Sequence, residues 1–421
     1  MDRYVLSNGM KCIFLPNKNV KSFIFLINIK VGSNNETKDN NGIAHFLEHM
    51  MFKSTRSYTS KELLEKLDSI GAYYNAMTTN EYTQYYIKSN YKNIYDTIKL
   101  MNEIYFYPAF TESDINTERT VVLDEYMINQ NDDDSVLYDN MIKHLYGDTP
   151  IGRPILGTPN TINNFKRKDF MKFREKYYLP QNTCIVLSGN FKLKTVKSYI
   201  QKKFNKPFKD QNNYPVRYIK KIQSEPELLC KYEKDSTRTT IILCFKTYGF
   251  NNVQSYTLEI IASILTGGMS SRLFLKLRNK KGFVYNISAY QKSYTDYGYF
   301  CIETSCNTQY VYQVIKIILE ELKVIKKTHV TNKELRKSQV SIVNSIIFMN
   351  ESSFSKANYY SMNELFYRPK ITLDKLPSKY EDVSVIDIKN TCNEIFNNNN
   401  LNVITMGGIK KSSKLIKMLN I

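Results

Sequence analysis

The segment Asn41-Gly42-Ile43-Ala44-His45-Phe46-Leu47-Glu48-His49-Met50-Met51-Phe52 constrains this chain more than any other. It contains the order H-x-x-E-H. On an α-helix, residues four apart share a face, so His45 and His49 can direct both imidazoles at one ion. Imidazole nitrogens suit zinc, at about 2.0–2.1 Å. Glu48 is next to His49 in sequence and close to one turn from His45, which suits it to reach a water on the metal rather than the metal itself. Two imidazoles and one carboxylate leave the fourth tetrahedral position for that water, as a catalytic zinc site requires. The chain has four histidines and two of them are here. His144 and His329 have no such company and read as ordinary. The plain alternative is an amphipathic helix with two hydrogen-bonded core histidines.

A third ligand has to come from elsewhere in the chain. Glu118-Arg119-Thr120-Val121-Val122-Leu123-Asp124-Glu125 offers two candidates. Glu118 and Glu125 are seven apart and stack on one helix face. One can ligate the ion while the other hydrogen-bonds a ligand histidine. Spacing alone does not say which, and a solvated acidic helix satisfies it equally.

At 421 residues the chain is too long for one ordinary core, so two domains are expected. We divide it into an N-terminal metal-binding domain (1–205), a linker (206–226) with two prolines, and a C-terminal domain (227–421). The halves look like weak copies. Strand-like residues near 24 and 242 share an offset of 218, and so do Gly189 and Gly407, since 407 − 189 = 218. Each glycine follows an apolar run and precedes an expected helix. At the same offset His45 and His49 fall on Ser263 and Gly267, so the second half repeats the framework without the metal motif. Helical periodicity marks 61–70, stopping at Gly71, together with 91–101 and 117–127. The expected fold class is α+β: two homologous α/β halves, each a mainly antiparallel sheet with helices on one face.

Several other functions find little support. The net charge is +19, but lysine is spread along the whole chain with abundant Asn, Ile and Tyr. No nucleic-acid-binding motif accompanies it, so it reads as biased composition on a solvated surface. The seven cysteines form no C-x-x-C pair and sit mostly among apolar residues, as buried free thiols do. No apolar run approaches a membrane span, and the first residues read directly as a strand. The expectation is a soluble cytoplasmic or otherwise intracellular protein without signal or transit peptide.

The residues around the motif resemble the pitrilysin-type peptidases, whose inverted H-x-x-E-H is the inverzincin signature. The resemblance is to the short branch similar to the mitochondrial processing peptidase β subunit and its bacterial relatives. Gly42 to Lys53 matches their glycine, small residues and H-F-L-E-H-M-x-F-K. Their third ligand is a Glu 76 residues past the second histidine, and here 125 − 49 = 76. The resemblance thus implies Glu125 as ligand and Glu118 as hydrogen-bond partner of a ligand histidine. It continues through Asn75-Ala76-Met77-Thr78, Gly152-Arg153-Pro154-Ile155-Leu156-Gly157, and Ser271-Arg272-Leu273-Phe274 with Arg278 and Tyr285. Met77 departs from it, since relatives often carry an aromatic there.

From the family we expect one zinc per chain, Glu48 as general base, and short or unfolded polypeptides as substrate. Asn75 and Ala76 are expected on a sheet edge that takes substrate as an added strand. Arg278 and Tyr285 are expected to bind substrate backbone and the oxyanion. A chamber of four halves implies a homodimer or a heterodimer with a related chain. Some members of the family are non-catalytic subunits that have lost a ligand or the base. All four positions stand here, so an endopeptidase is the primary expectation.

Overall fold

A computed structural model describes residues 1–208, 223–366 and 370–421 of the chain. Most of the segment read as a linker, residues 209–222, lies outside them. The chain forms two compact units. The first is built from Met1–Asp132 and the described parts of Asp148–Tyr218 and Met349–Lys370. The second is built from Asp133–Gly147, Ile371–Ile421 and the described part of Ile219–Phe348.

The first unit has one six-stranded sheet, of β1 (Asp2–Val5), β2 (Lys11–Pro16), β3 (Ser22–Ile29), β4 (Tyr73–Thr78), β5 (Thr83–Asn90) and β6 (Thr183–Gly189). Their order is β1-β2-β6-β3-β5-β4. Only β2 and β6 run parallel; the other neighbours are antiparallel. β3 is central and rich in β-branched and aromatic residues, which suit a pleated surface covered on both sides. Phe23, Phe25, Ile27 and Ile29 enter the main hydrophobic core. With a period of two, Ile24, Leu26 and Asn28 point the other way. There the helix Ser353–Phe366, from far along the chain, packs on β2, β3 and β6. A buried polar chain fixes it: Asn28 Nδ2 donates to Ser361 Oγ, and Gln84 Nε2 donates to Asn28 Oδ1 and Asn358 Oδ1 at 2.8 Å each.

Three helices of this unit correspond to the segments with helical periodicity, and a fourth carries the H-x-x-E-H motif. α1 (Ile43–Met51) is apolar around most of its girth and almost wholly buried, as a core helix should be. α2 (Ser60–Ser69) opens with a capping box between Thr59 and Glu62 and stops before Gly71, which has φ +57°. α3 (Ile94–Phe106) starts later than the 91–101 pattern indicates, because Asn90 caps a 3-10 turn over Tyr91–Asn93 first. α4 (Glu112–Asn131) is longer than the 117–127 pattern and is capped by Thr111. β4 is the edge strand, with its even-numbered residues half-buried and its odd ones exposed.

The second unit repeats this plan. Its strands are β7 (Glu227–Tyr232), β8 (Arg238–Thr247), β9 (Val284–Ser293), β10 (Gly298–Asn307) and β11 (Asn402–Gly407), in the order β7-β11-β8-β10-β9. The sole parallel pair, β7 with β11, corresponds to β2 with β6. Gly189 and Gly407 close the corresponding strands at φ +126° and +131°. Asn307 caps a 3-10 turn after β10 as Asn90 does after β5. The helices expected after Gly189 and Gly407 begin at Leu193 and Ser413.

The sequence division at 205 and 227 follows chain order, whereas the compact units also exchange helices. Asp133–Tyr146 packs on β11 of the second unit, while Ser353–Phe366 belongs to the first. Each of these helices directly follows a 20-residue helix, α4 and Asn332–Glu351.

Gln84→Leu strands the buried acceptor of Asn28 and the half-buried one of Asn358. It is expected to lower stability by about 1–3 kcal/mol, measurable by urea unfolding.

Candidate metal centre

α1 and α4 bring the three expected ligands together within the first unit. The imidazoles of His45 and His49 meet edge to face one turn apart on α1, with ring centroids 4.7 Å apart. Glu125 reaches both from α4: its Oε2 is 3.6 Å from His45 Nε2 and 3.3 Å from His49 Nε2. Two ε nitrogens facing one carboxylate oxygen form a donor set for a cation. Ligand atoms around tetrahedral zinc, with bonds of about 2.0–2.1 Å, stand about 3.3 Å apart; both Glu125 distances are close to that, and all three ligand atoms lie within 4.8 Å of one another. Among the described residues this is the one group of three or more His, Cys, Asp or Glu close enough to share an ion.

Glu118, two turns before Glu125, is buried and accepts from His49 Nδ1 at 2.8 Å. That contact leaves Nε2 of the same ring facing Glu125. The other Glu118 oxygen is ion-paired with Lys53. Lys53 is four residues past His49, at the end of α1, and returns to the same side. Glu48 does not approach the donor set as a ligand. Its Oε2 accepts from Thr78 Oγ1 at 2.9 Å. Thr78 lies on the same face of β4 as Ala76, two residues on. Sequence reasoning missed these roles for Lys53 and Thr78, although both residues sit inside the family-like motifs. The available signal was their spacing, one helical turn from His49 and one strand period from Ala76.

Electrostatics separates these five groups. Burial pushes the Glu48 pKa up to about 7, although the charge of His49 and the Thr78 hydroxyl pull it down. Burial disfavours charge on His49 too, but the hydrogen bonds it donates to Glu118 and Glu125 outweigh it and raise its pKa to about 9. Burial and the neighbouring His49 lower that of His45. Glu125 is held below the carboxylate range, first by its hydrogen bond to His49. Glu118 is held low by His49 and Lys53 against its burial. Glu118 and Glu125 thus favour the protonated form of His49 in the metal-free chain.

The centre opens into a cavity of about 580 Å³. Phe52, Leu64, Tyr74, Met77, Ile155 and Leu156 form its apolar lining, and Asn75, Ala76 and Thr78 of β4 border it. Ala76 is half-buried and Asn75 exposed. The Asn75 side chain accepts from the Ala76 N–H at 2.8 Å. Arg278 and Tyr285 belong to the second unit. The structure brings them to each other: the guanidinium of Arg278 lies 5.0 Å from the Tyr285 ring centroid and 4.8 Å from that of Phe274. Arg278 sits on a π-helical segment, Phe274–Lys280, and the Tyr285 ring is 79% exposed.

Comparison with known proteins agrees with this framework. Residues 13–159 match the family described as insulinase, peptidase family M16, and residues 164–340 match the peptidase M16 inactive domain. An uncharacterized zinc protease of Bacillus subtilis, YmxG, is 30% identical over 394 residues, covering 94% of this chain and 95% of the relative. An uncharacterized zinc protease of Rickettsia felis is 30% identical over 397 residues, covering 93% and 94%. A crystal structure of a protease from Helicobacter pylori superposes with a TM-score of 0.88 at 24% identity, over 96% of this chain and 99% of that one.

The raised His49 pKa has a defined sign. Its contribution to the stability of the metal-free chain is complete below about pH 6.5 and is lost as pH rises through about 9. Thermal melting in chelator should fall across that window more steeply for the native chain than for Glu118→Gln, which removes the partner that holds the proton.

Proposed function

Since the chain belongs to peptidase family M16, we propose that it is a zinc-dependent endopeptidase acting on short or unfolded polypeptides. The observation that carries this reading is the convergence of His45 Nε2, His49 Nε2 and Glu125 Oε2 beside a buried carboxylate that is not a member of the set. In this reading His45, His49 and Glu125 hold one zinc ion. When bound, zinc polarises the scissile carbonyl and makes a water acidic enough to attack near neutral pH.

The other steps belong to the chain's own groups. Glu48 takes the proton of the attacking water on its carboxylate and passes it to the departing amine nitrogen. A pKa of about 7 suits both halves of that transfer. Thr78 fixes the orientation of the carboxylate through its hydroxyl. Glu118 keeps the His49 ring turned with Nε2 towards the ion, and Lys53 keeps Glu118 ionised. The edge strand β4 receives substrate as an added strand along its outer side, around Asn75 and Ala76. Such docking reads backbone more than side chain, so sequence preference should be loose. Arg278 and Tyr285 supply donors for the substrate backbone and the tetrahedral oxyanion. The chain supplies two such units and the family chamber four, so it works as a homodimer or with a related chain. All four positions of the centre are intact, which favours an enzyme over a non-catalytic subunit.

Glu48→Gln is expected to retain one zinc per chain and lose roughly 10²–10⁴-fold in kcat on an unstructured peptide. Normal turnover in that variant would remove Glu48 as the base. Arg278→Ala is expected to lower kcat by roughly 10²-fold with zinc content unchanged, as loss of one oxyanion donor does. Zinc binding has to displace the His49 proton, so calorimetric titration should show proton release and an affinity that rises with pH through about 9.

A further inference from the structure

α1 has nine residues, and three of them must hold position at one point: His45, Glu48 and His49. So short a helix depends on how its first turn is anchored, because its leading N–H groups have no partner within the helix. A Ser, Thr or Asp just before the helix normally supplies one. Here that position is Gly42, with no side chain to offer. It could not carry one. Its φ is +95°, and a Cβ there would lie 2.7 Å from Gly157 Cα and 2.7 Å from the Leu156 carbonyl oxygen.

The missing cap arrives from six residues upstream. Glu36 is 3% exposed, and its Oε2 accepts from Gly42 N at 2.8 Å and Asn41 Nδ2 at 2.9 Å. Its Oε1 accepts from Ala44 N at 2.8 Å, the residue just before His45. The carboxylate thus bridges the first turn at the positive end of the helix. The loop holding it is tied to the cavity wall: Arg153 donates to the Glu36 carbonyl, and Asn41 Nδ2 also donates to the Pro154 carbonyl. Ile155 and Leu156 of that wall line the cavity. Burial works against the charge and pushes the Glu36 pKa up to about 8, while the two backbone donors, Asn41 and Arg153 pull it down. All the donors aimed at it suit the ionised form.

We propose that Glu36 is a positioning residue of the metal centre, capping α1 from outside the helix and setting the height at which its two histidines meet Glu125. The proposal rests on the reading of the centre as a zinc site. It predicts that Glu36 acts on metal affinity, whereas a merely structural cap would act on folding alone.

The test measures zinc affinity by competition with a chromophoric chelator, and melting of the metal-free protein, for the full chain. Glu36→Gln keeps the shape but turns an amide N–H₂ towards N–H donors. It should weaken zinc binding about 10–100-fold, the range found when groups supporting ligand histidines are lost. Ser384→Ala removes the cap of a helix in the second unit, Val385–Ile395. It should lower the melting temperature and leave zinc affinity at the native value. A Glu36→Gln chain that melts lower but binds zinc as tightly as the native one overturns the proposal. Glu36→Asp keeps the charge and draws it back by one methylene. It should bind zinc more weakly than the native chain and carries the test should Glu36→Gln give no folded protein; native affinity in it also overturns the proposal. A native chain that takes up no zinc overturns the zinc reading as well, which separates the two failures.

Discussion

A carboxylate oxygen of Glu125 is held between the ε nitrogens of two histidines on one helix face, at 3.3 and 3.6 Å, and the neighbouring side chains are arranged around that contact. Without a cation, Glu118 and Glu125 on either side of His49 raise its pKa and favour its charged form. The surroundings then look purposeful. Lys53 neutralises Glu118, Glu118 turns His49, and Thr78 turns Glu48. Each contact restricts one rotation of one side chain. Restricting rotations before a ligand arrives is how a short helix and a distant carboxylate form a usable site.

The scaffold explains how distant parts of the chain meet. α1 packs against the edge strand β4 on one side and α4 on another. A substrate backbone laid along that edge would therefore run past Glu48 and the donor set. The second unit has the same strand order and a corresponding edge strand, β9, yet among the described residues no His, Cys, Asp or Glu cluster there could hold an ion. What it offers instead is the stacked Arg278 and Tyr285 pair beside β9. One framework thus carries the His45, His49 and Glu125 cluster in one copy and the Arg278 and Tyr285 pair in the other.

Much of this was legible in the sequence, and the reasons differ by residue. His45, Glu48 and His49 are local: a period of 3.6 places them without knowledge of the fold. Glu125 is not local, and spacing left it level with Glu118; family resemblance separated them. The internal repeat was visible because strands beside a tight glycine turn tolerate few residue types. The exchange of helices between units was not visible, since Asp133–Tyr146 and Ser353–Phe366 are ordinary amphipathic segments whose packing partners lie far along the chain. Glu36 was missed for a related reason. A carboxylate capping a helix from six residues upstream fits no short pattern, and its role emerges only when Gly42 is seen pressed against Gly157.

X-ray absorption at the zinc edge, on the full chain loaded with one equivalent of zinc, tests the central geometry most directly. The expected spectrum has two imidazole nitrogens at about 2.0–2.1 Å with oxygen completing the shell, and one nitrogen fewer in His45→Ala. A sulfur shell near about 2.3 Å, or a spectrum unchanged in His45→Ala, would contradict it.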